Sequence, residues 1–273
     1  MQTPKRFVQQ GIIFLVFIFI GISCTRNALT GKKQLTILPE AEVQSLASAQ
    51  YVDFLKKHPV VPVQNSSQAA MVKRVGERIT AAVNRYYAGK NVSNVLNGYK
   101  WEYNLVNDAA VNAWCMPGGK IVVYTGLLPV TMNENALAVV MGHEVSHALL
   151  QHGNQRMSGS MLQQFGGITL ALALSTKPAQ TQELFLQAYG IGSEVGVMLP
   201  FSRKHELEAD RYGLIWAAMA GYDPEEALAF WDRMEKASGG QQVPDFLRTH
   251  PTDAVRKEKI KASLPEALSY KGK

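Results

Sequence analysis

The sequence predicts a mainly α (α+β) chain: a small β-sheet, then a central buried helix carrying H-E-x-x-H, with most of the remainder helical. Three observations predict it. Apolar residues recur at three- and four-residue spacing in 43–55, 72–83 and 136–145. Alternation is confined to "YKWEYNLVN" (99–107) and "PGGKIVVYTGLL" (117–128). Finally, 273 residues at 47% hydrophobic and 18% charged are enough for one large core or two small ones. The expected division is a secretory segment over 1–23, a tether over 24–38 and a folded domain over 39–273.

In the first segment, Lys5 and Arg6 precede an apolar run from Ile12 to Ile20. The run is short for a membrane span, so a cleaved signal is expected, with an uncleaved anchor as the alternative. "GISC" resembles the bacterial lipobox, although Gly21 stands where leucine is usual, and it would make Cys24 a lipidation site. Thr25 in place of aspartate then favours the outer membrane, giving a lipid-anchored envelope protein facing the periplasm. Each buried methylene of such a lipid contributes about 0.8 kcal/mol. Cys24 and Cys115 are the only cysteines, which excludes a disulfide framework. The net charge of +6 comes from scattered basic residues without aromatic interleaving, so no nucleic-acid partner is expected.

The tether, "TRNALTGKKQLTIL", has no sustained period. A helix follows from Pro39, with Val43, Leu46, Ala47, Phe54 and Leu55 on its stripe. Glu40 suits its start, and Lys56 with Lys57 its end. A second helix runs from about Ser67 to Tyr86 on Val72, Val75, Ile79 and Val83. Trp101, Tyr103 and Leu105 alternate as a strand. A Pro-Gly-Gly turn leads to a second strand, Lys120, Ile121, Val122, Val123 and Tyr124, expected to offer a free edge to an extended substrate.

Thr131 and Glu134 form a T-x-x-E capping box and Gly153 suits a C-terminal stop, which frames one helix over 132–151. His143 and His147 stand at i and i+4 on one face, where both imidazoles reach a single ion. Glu144 lies about 100° around the helix, beside that ion, where it can take a proton from water. Histidines on an apolar face can be satisfied core residues, but the flanking glutamate at this spacing argues for a metal. A catalytic zinc needs a third protein ligand and one open position. "FSRKHELEADRYGLIWAAMAGYDP" offers it on a second helix, capped by Ser202 and ended by Gly221. There Glu206 and Asp210 share a face, Glu206 to ligate and Asp210 to hydrogen-bond a ligating imidazole; Glu208 points the other way. His152 is read as complementing the helix dipole, and His205 as lying on another face. Neither is assigned to the metal, for which one Zn2+ per chain is expected.

"HEVSH" followed some sixty residues later by "SRKHELEAD", with "VNAWCMPGGKIVVYTGLL" before and "THPTDAVR" after, resembles the M48 zinc metallopeptidases, the Ste24-type gluzincins, over residues 70–260. With Cys24, the resemblance extends to the bacterial envelope lipoprotein branch. It implies a zincin-like metallopeptidase domain in which His143, His147 and Glu206 hold zinc and Glu144 is the catalytic base. It also places Asp210 and Arg256 behind the ligands, and His250 near the metal, to steady an oxyanion or transiently fill the open position. The implied activity is an endopeptidase acting on misfolded or unassembled envelope proteins. A metal-stabilised periplasmic chaperone or assembly factor is the rival reading, but it has no need of Glu144. A structural zinc site would favour more cysteine than Cys115 alone. "FGGITLALAL" (165–174) and "LFLQAYGIGSEVGVML" (184–199) are read as core helices or a mobile cover over the cleft, too short to span a membrane.

Overall fold

The computed structural model describes residues 24–162, 178–189, 201–239 and 243–273. The expected signal over 1–23 and most of the two glycine-rich apolar segments lie outside the described residues. No described helix is long and apolar enough to cross a membrane.

Helix α1 (Glu40–Lys57) buries Val43, Ala47, Tyr51 and Phe54. Helix α2 (Ser67–Gly89) is capped by Ser66, whose side chain accepts from Ala69 N, and buries Val72, Val75, Ile79 and Val83 as their spacing predicts. Three strands form the main sheet: β3 (Glu102–Val106), β4 (Ala113–Met116) and β5 (Lys120–Tyr124), in the order β3-β5-β4. The sheet separates two apolar clusters. Leu105, Ala113, Cys115, Ile121 and Val123 face α2 and the central helices. The alternate residues Val106, Trp114, Met116, Val122 and Tyr124 face α1 and Phe185. Two covered faces explain why "IVVY" is continuously apolar.

This order corrects one expectation. Strand β5, Lys120–Tyr124, is not an edge: it pairs in parallel with β3 and antiparallel with β4, so both sides of its backbone are used. The Gly118–Gly119 turn, with φ of +82° and +85°, folds β5 back between its predecessors. Among the described residues of this sheet β4 pairs on one side only; all four of its residues are buried, and the sequence pattern did not reveal it as a strand.

The presumed tether is also structured. Strands β1 (Cys24–Arg26) and β2 (Lys33–Leu35) form an antiparallel ribbon. Asn27 Nδ2 donates to Leu149 O at 3.2 Å, satisfying a carbonyl at the end of the central helix, and Ile37 N donates to Ser158 Oγ at 2.8 Å. Side-chain bonds of this kind leave no periodic trace in the sequence.

A short turn of helix, α3 (Leu128–Thr131), precedes the central helix α4 (Glu134–Leu149). The cap of α4 is Asn133, whose side chain accepts from Ala136 N at 2.9 Å, not Thr131, whose hydroxyl donates to Leu128 O within α3. At the other end the left-handed residue is Gln151, φ +57°, not Gly153. Gly153 lies inside α5 (152–162), against the Tyr189 ring at the end of α6 (Pro178–Tyr189). Helix α7 (Arg203–Met219) begins and ends as expected, Ser202 accepting from His205 N and Gly221 at φ +82°. Helices α4 and α7 touch backbone to backbone. A Cβ on Gly142 would lie 2.7 Å from Gly213 O, and one on Gly213 would lie 2.7 Å from His143 N. Helices α8 (Glu226–Ser238), α9 (Asp245–Thr249) and α10 (Ala254–Leu268) complete the chain, α10 packing on α7 with Asp253 as its cap.

Candidate metal centre

The close crossing of α4 and α7 determines what can meet. It sets His143 and His147, one turn apart on α4, opposite Glu206 in the first turn of α7, and His250 follows the last residue of α9. All four are buried, and one ligand atom from each lies within 4.8 Å of the others. His143 Nε2 is 2.9 Å from His147 Nε2 and 3.2 Å from His250 Nδ1. Glu206 Oε1 is 3.4 Å from His147 Nε2 and 3.1 Å from His250 Nδ1, and its Oε2 is 3.5 Å from His143 Nε2. Four donors around a tetrahedral zinc at about 2.1 Å stand about 3.4 Å apart. The residues present fit a zinc ion, in both donor type and spacing.

Each histidine from α4 turns its Nε2 inward and its Nδ1 outward. His143 Nδ1 meets Asp210 Oδ1 at 2.9 Å, the carboxylate–imidazole pairing that fixes the tautomer of a ligand. Arg256 on α10 holds Asp210 with two bonds, Nε to Oδ2 at 2.7 Å and Nη2 to Oδ1 at 2.8 Å. Its Nη1 lies 2.7 Å from Glu206 Oε2, and its guanidinium is 3.9 Å from the centroid of Trp231. One buried cation thus serves two buried carboxylates. Burial alone would raise Glu206 and Asp210, but His250 with Arg256 holds Glu206 well below the usual carboxylate range, and Arg256 lowers Asp210. Both are therefore charged. His147 is pushed well below the usual imidazole range by burial and by His143, leaving it in the neutral form that a metal takes.

Glu144 behaves differently. It is buried, and its Oε1 accepts no hydrogen bond from the described residues; His250 Nε2 is 3.5 Å away. Burial pushes its carboxyl up to about 8, with His143 opposing and Glu206 adding. A carboxylate that gains a proton near neutrality suits a general base. The cavity beside it, about 10 Å3 and shared with Cys115, His147, Tyr189, Phe201 and His250, is on the scale of one water.

Three features of the site were not legible in the sequence. His152 does not end α4 as a dipole partner: it opens α5 and is fully buried, its Nδ1 3.0 Å from His147 Nδ1. At i+5 on a continuous helix it would sit about 140° from His147. The left-handed Gln151 swings it back. Glu208, on the far side of α7 from Glu206, faces this histidine at 3.4 Å. Phe201 packs its ring 3.9 Å from His147 and carries the Arg156 guanidinium on its face. His205 lies outside the cluster of four, stacked on His152 at 4.3 Å.

The sequence profile of peptidase family M48 matches residues 66–264. The chain belongs to peptidase family M48. It is 35% identical over 173 residues to the mitochondrial metalloendopeptidase OMA1 of Schizosaccharomyces pombe, covering 63% of this chain and 49% of the relative. It is 29% identical over 269 residues to the mitochondrial metalloendopeptidase OMA1 of Bos taurus, covering 96% and 49%. With the beta-barrel assembly-enhancing protease of Escherichia coli (strain K12) it shares 30% over 164 residues, covering 57% and 33%. The chain spans about half the length, or less, of these curated relatives. Metallopeptidases of this family use zinc, and the cluster described above can hold one ion.

These comparisons overturn the expected location. An outer-membrane lipoprotein anchored at Cys24 is not what the matches support, since relatives from six eukaryotes are named as mitochondrial. Cys24 itself belongs to β1, paired with Leu35 in the ribbon. The lipobox resemblance rested on four residues, too few to carry a location.

Proposed function

We propose that this chain is a zinc-dependent endopeptidase, with one Zn2+ per chain held by His143, His147 and Glu206, acting on misfolded or unassembled proteins. The observation that carries the reading is the meeting of those three donors with a buried Glu144 oxygen that accepts no hydrogen bond from the described residues. Zinc bound there supplies Lewis acidity, polarising a carbonyl and bringing a water's pKa toward neutrality. Glu144 takes the proton of the attacking water and passes it to the leaving amine. Asp210 holds His143 in the tautomer that faces Nε2 inward, and Arg256 keeps Asp210 and Glu206 ionised. His250 completes the cluster beside Glu206, and with an ion held by the three other residues its imidazole would be at hand for the developing oxyanion.

The pairing role first given to Lys120–Tyr124 passes to β4. Among the described residues β4 pairs on one side only, and Ala113, Trp114 and Cys115 line the water-sized cavity beside Glu144. An extended segment added there binds through its backbone, which suits clients of varied sequence. The bacterial relative is named for enhancing β-barrel assembly, which supports clients caught during assembly. Placement among the Ste24-type gluzincins rests on the spacing of "HEVSH" and "SRKHELEAD". The rival assembly factor with little proteolysis leaves Glu144 without a task. In Glu144→Gln, zinc content should stay at one per chain while hydrolysis of unfolded casein falls by about 10²–10⁴-fold. Undiminished cleavage in that variant overturns the assignment.

A further inference from the structure

His143 and His147 are oriented by different means. His143 Nδ1 has a carboxylate directly behind it, Asp210 at 2.9 Å. Behind His147 Nδ1 stands another imidazole, His152 Nδ1 at 3.0 Å. Two imidazole nitrogens facing each other need one proton between them, one ring donating and the other accepting. If His147 Nε2 offers its lone pair to an ion, its proton is on Nδ1, and His152 Nδ1 must be the acceptor. The proton of His152 is then on Nε2, and Nε2 faces Glu208 Oε2 at 3.4 Å. The other oxygen of Glu208 accepts from Nζ of Lys32, the residue just before strand β2, at 2.6 Å. Three successive contacts therefore agree on one tautomer for each ring. The His152 ring has little freedom to leave this arrangement: it is fully buried and stacked on His205 with 15° between the planes.

We propose that His152 and Glu208 are positioning residues for the metal, a carboxylate–imidazole–imidazole relay that keeps His147 Nε2 unprotonated and aimed at the ion. The inference rests on the metal centre described above. Lys32 anchors the far end, so the N-terminal ribbon reaches a metal ligand through two side chains. Glu208 is the counterpart of Asp210, and Lys32 of Arg256. The difference lies in the inserted ring and in exposure, since Lys32 is 58% exposed whereas Arg256 is 2% exposed. Without Glu208, His152 is free to carry its proton on Nδ1, where it opposes the Nδ1 proton of His147. His147 must then turn, or move its proton to Nε2 and lose the lone pair the ion needs. Partners behind a metal-bound histidine typically contribute 10–100-fold in metal affinity.

The test is zinc affinity of the full chain, measured by competition with a chromogenic chelator, together with the visible spectrum of the cobalt-substituted protein and thermal unfolding of the metal-free form. Glu208→Leu and His152→Phe should each weaken zinc about 10–100-fold and alter the cobalt absorption bands, with metal-free Tm little changed. His152→Asn, whose amide oxygen can accept from His147 Nδ1, should recover part of the affinity. Lys32→Met should have a smaller effect than Glu208→Leu. Wild-type affinity and an unchanged cobalt spectrum in Glu208→Leu overturn the relay, and this variant carries the test if His152→Phe does not fold. A wild-type chain that takes up no zinc, or uptake undiminished in His143→Ala, instead overturns the metal centre itself, and the relay with it.

Discussion

Gly213→Ala tests whether the crossing of α4 and α7 builds the site. The added methyl would lie 2.7 Å from His143 N, 2.9 Å from its Cα and 3.0 Å from Gly142 C, all backbone atoms that no rotamer change can clear. Carbon contacts settle at about 3.5–4.0 Å, so the two helices must separate by roughly 1 Å. Overpacking of this kind costs about 1–3 kcal/mol, and replacing glycine by alanine within a helix returns about 1 kcal/mol. The net loss of stability is then about 0–2 kcal/mol. At about 2–4 °C per kcal/mol for a chain of this size, Tm falls by no more than about 8 °C. The functional loss is larger. His143 and His147 ride on one helix and Glu206 on the other, and a displacement of about 1 Å can cost about 10²-fold in rate. Thermal unfolding, chelator competition for zinc and casein hydrolysis on one preparation separate the two effects. A folded Gly213→Ala variant with wild-type zinc affinity and turnover refutes the reasoning. Gly142→Ala should behave alike, and the double variant should fall short of the sum because one separation relieves both clashes.

Two further outcomes follow from buried charge. Arg256→Met strands Asp210 and Glu206 without their shared cation and should destabilise the metal-free chain by about 3–5 kcal/mol in urea unfolding; a loss under about 1 kcal/mol shows that the two carboxylates do not depend on it. Glu40 is pushed up to about 7 by burial, only partly offset by Gln44 and Asn154, against an ordinary 4.5. Its folded-state value lies above the unfolded one, so stability falls as pH rises through 4.5 to 7, and the penalty is full above pH 7. Glu40→Gln should therefore stabilise the chain by up to about 3 kcal/mol at pH 8 and have little effect near pH 4; an equal effect at both pH values contradicts this account.

How far the sequence reveals the site depends on how local each relation is. His143, Glu144 and His147 lie within one turn and a half of a helix, and Glu206 with Asp210 within one turn, so helical periodicity alone puts each set on its face. His250 and Arg256 are brought in by α9 and α10, and only the family motif "THPTDAVR" marked them in advance. Gly142 and Gly213, which let the two helices touch, look like weak points in helical stretches until the partner backbone is seen. Strand order is non-local too: the pattern of "KIVVY" names a strand but cannot say whether its neighbours lie on one side or both. Caps fail for a different reason. Thr131 and Asn133 both suit a helix start, and Met132 at φ +64° separates them into two helices. His152 reads as a helix-end residue and Glu208 as pointing away from the ion; the left-handed Gln151 and the far face of α7 bring the two together.

The central claim is that one ion sits between α4 and α7. Anomalous scattering at the zinc edge, from crystals of the zinc-loaded chain, tests it most directly. The account predicts a single peak about 2.0–2.2 Å from His143 Nε2, His147 Nε2 and a Glu206 oxygen, with Glu144 beside it and outside the ligand set. A peak held by other residues, or density showing the two imidazoles and the Glu206 carboxylate turned apart, would contradict it.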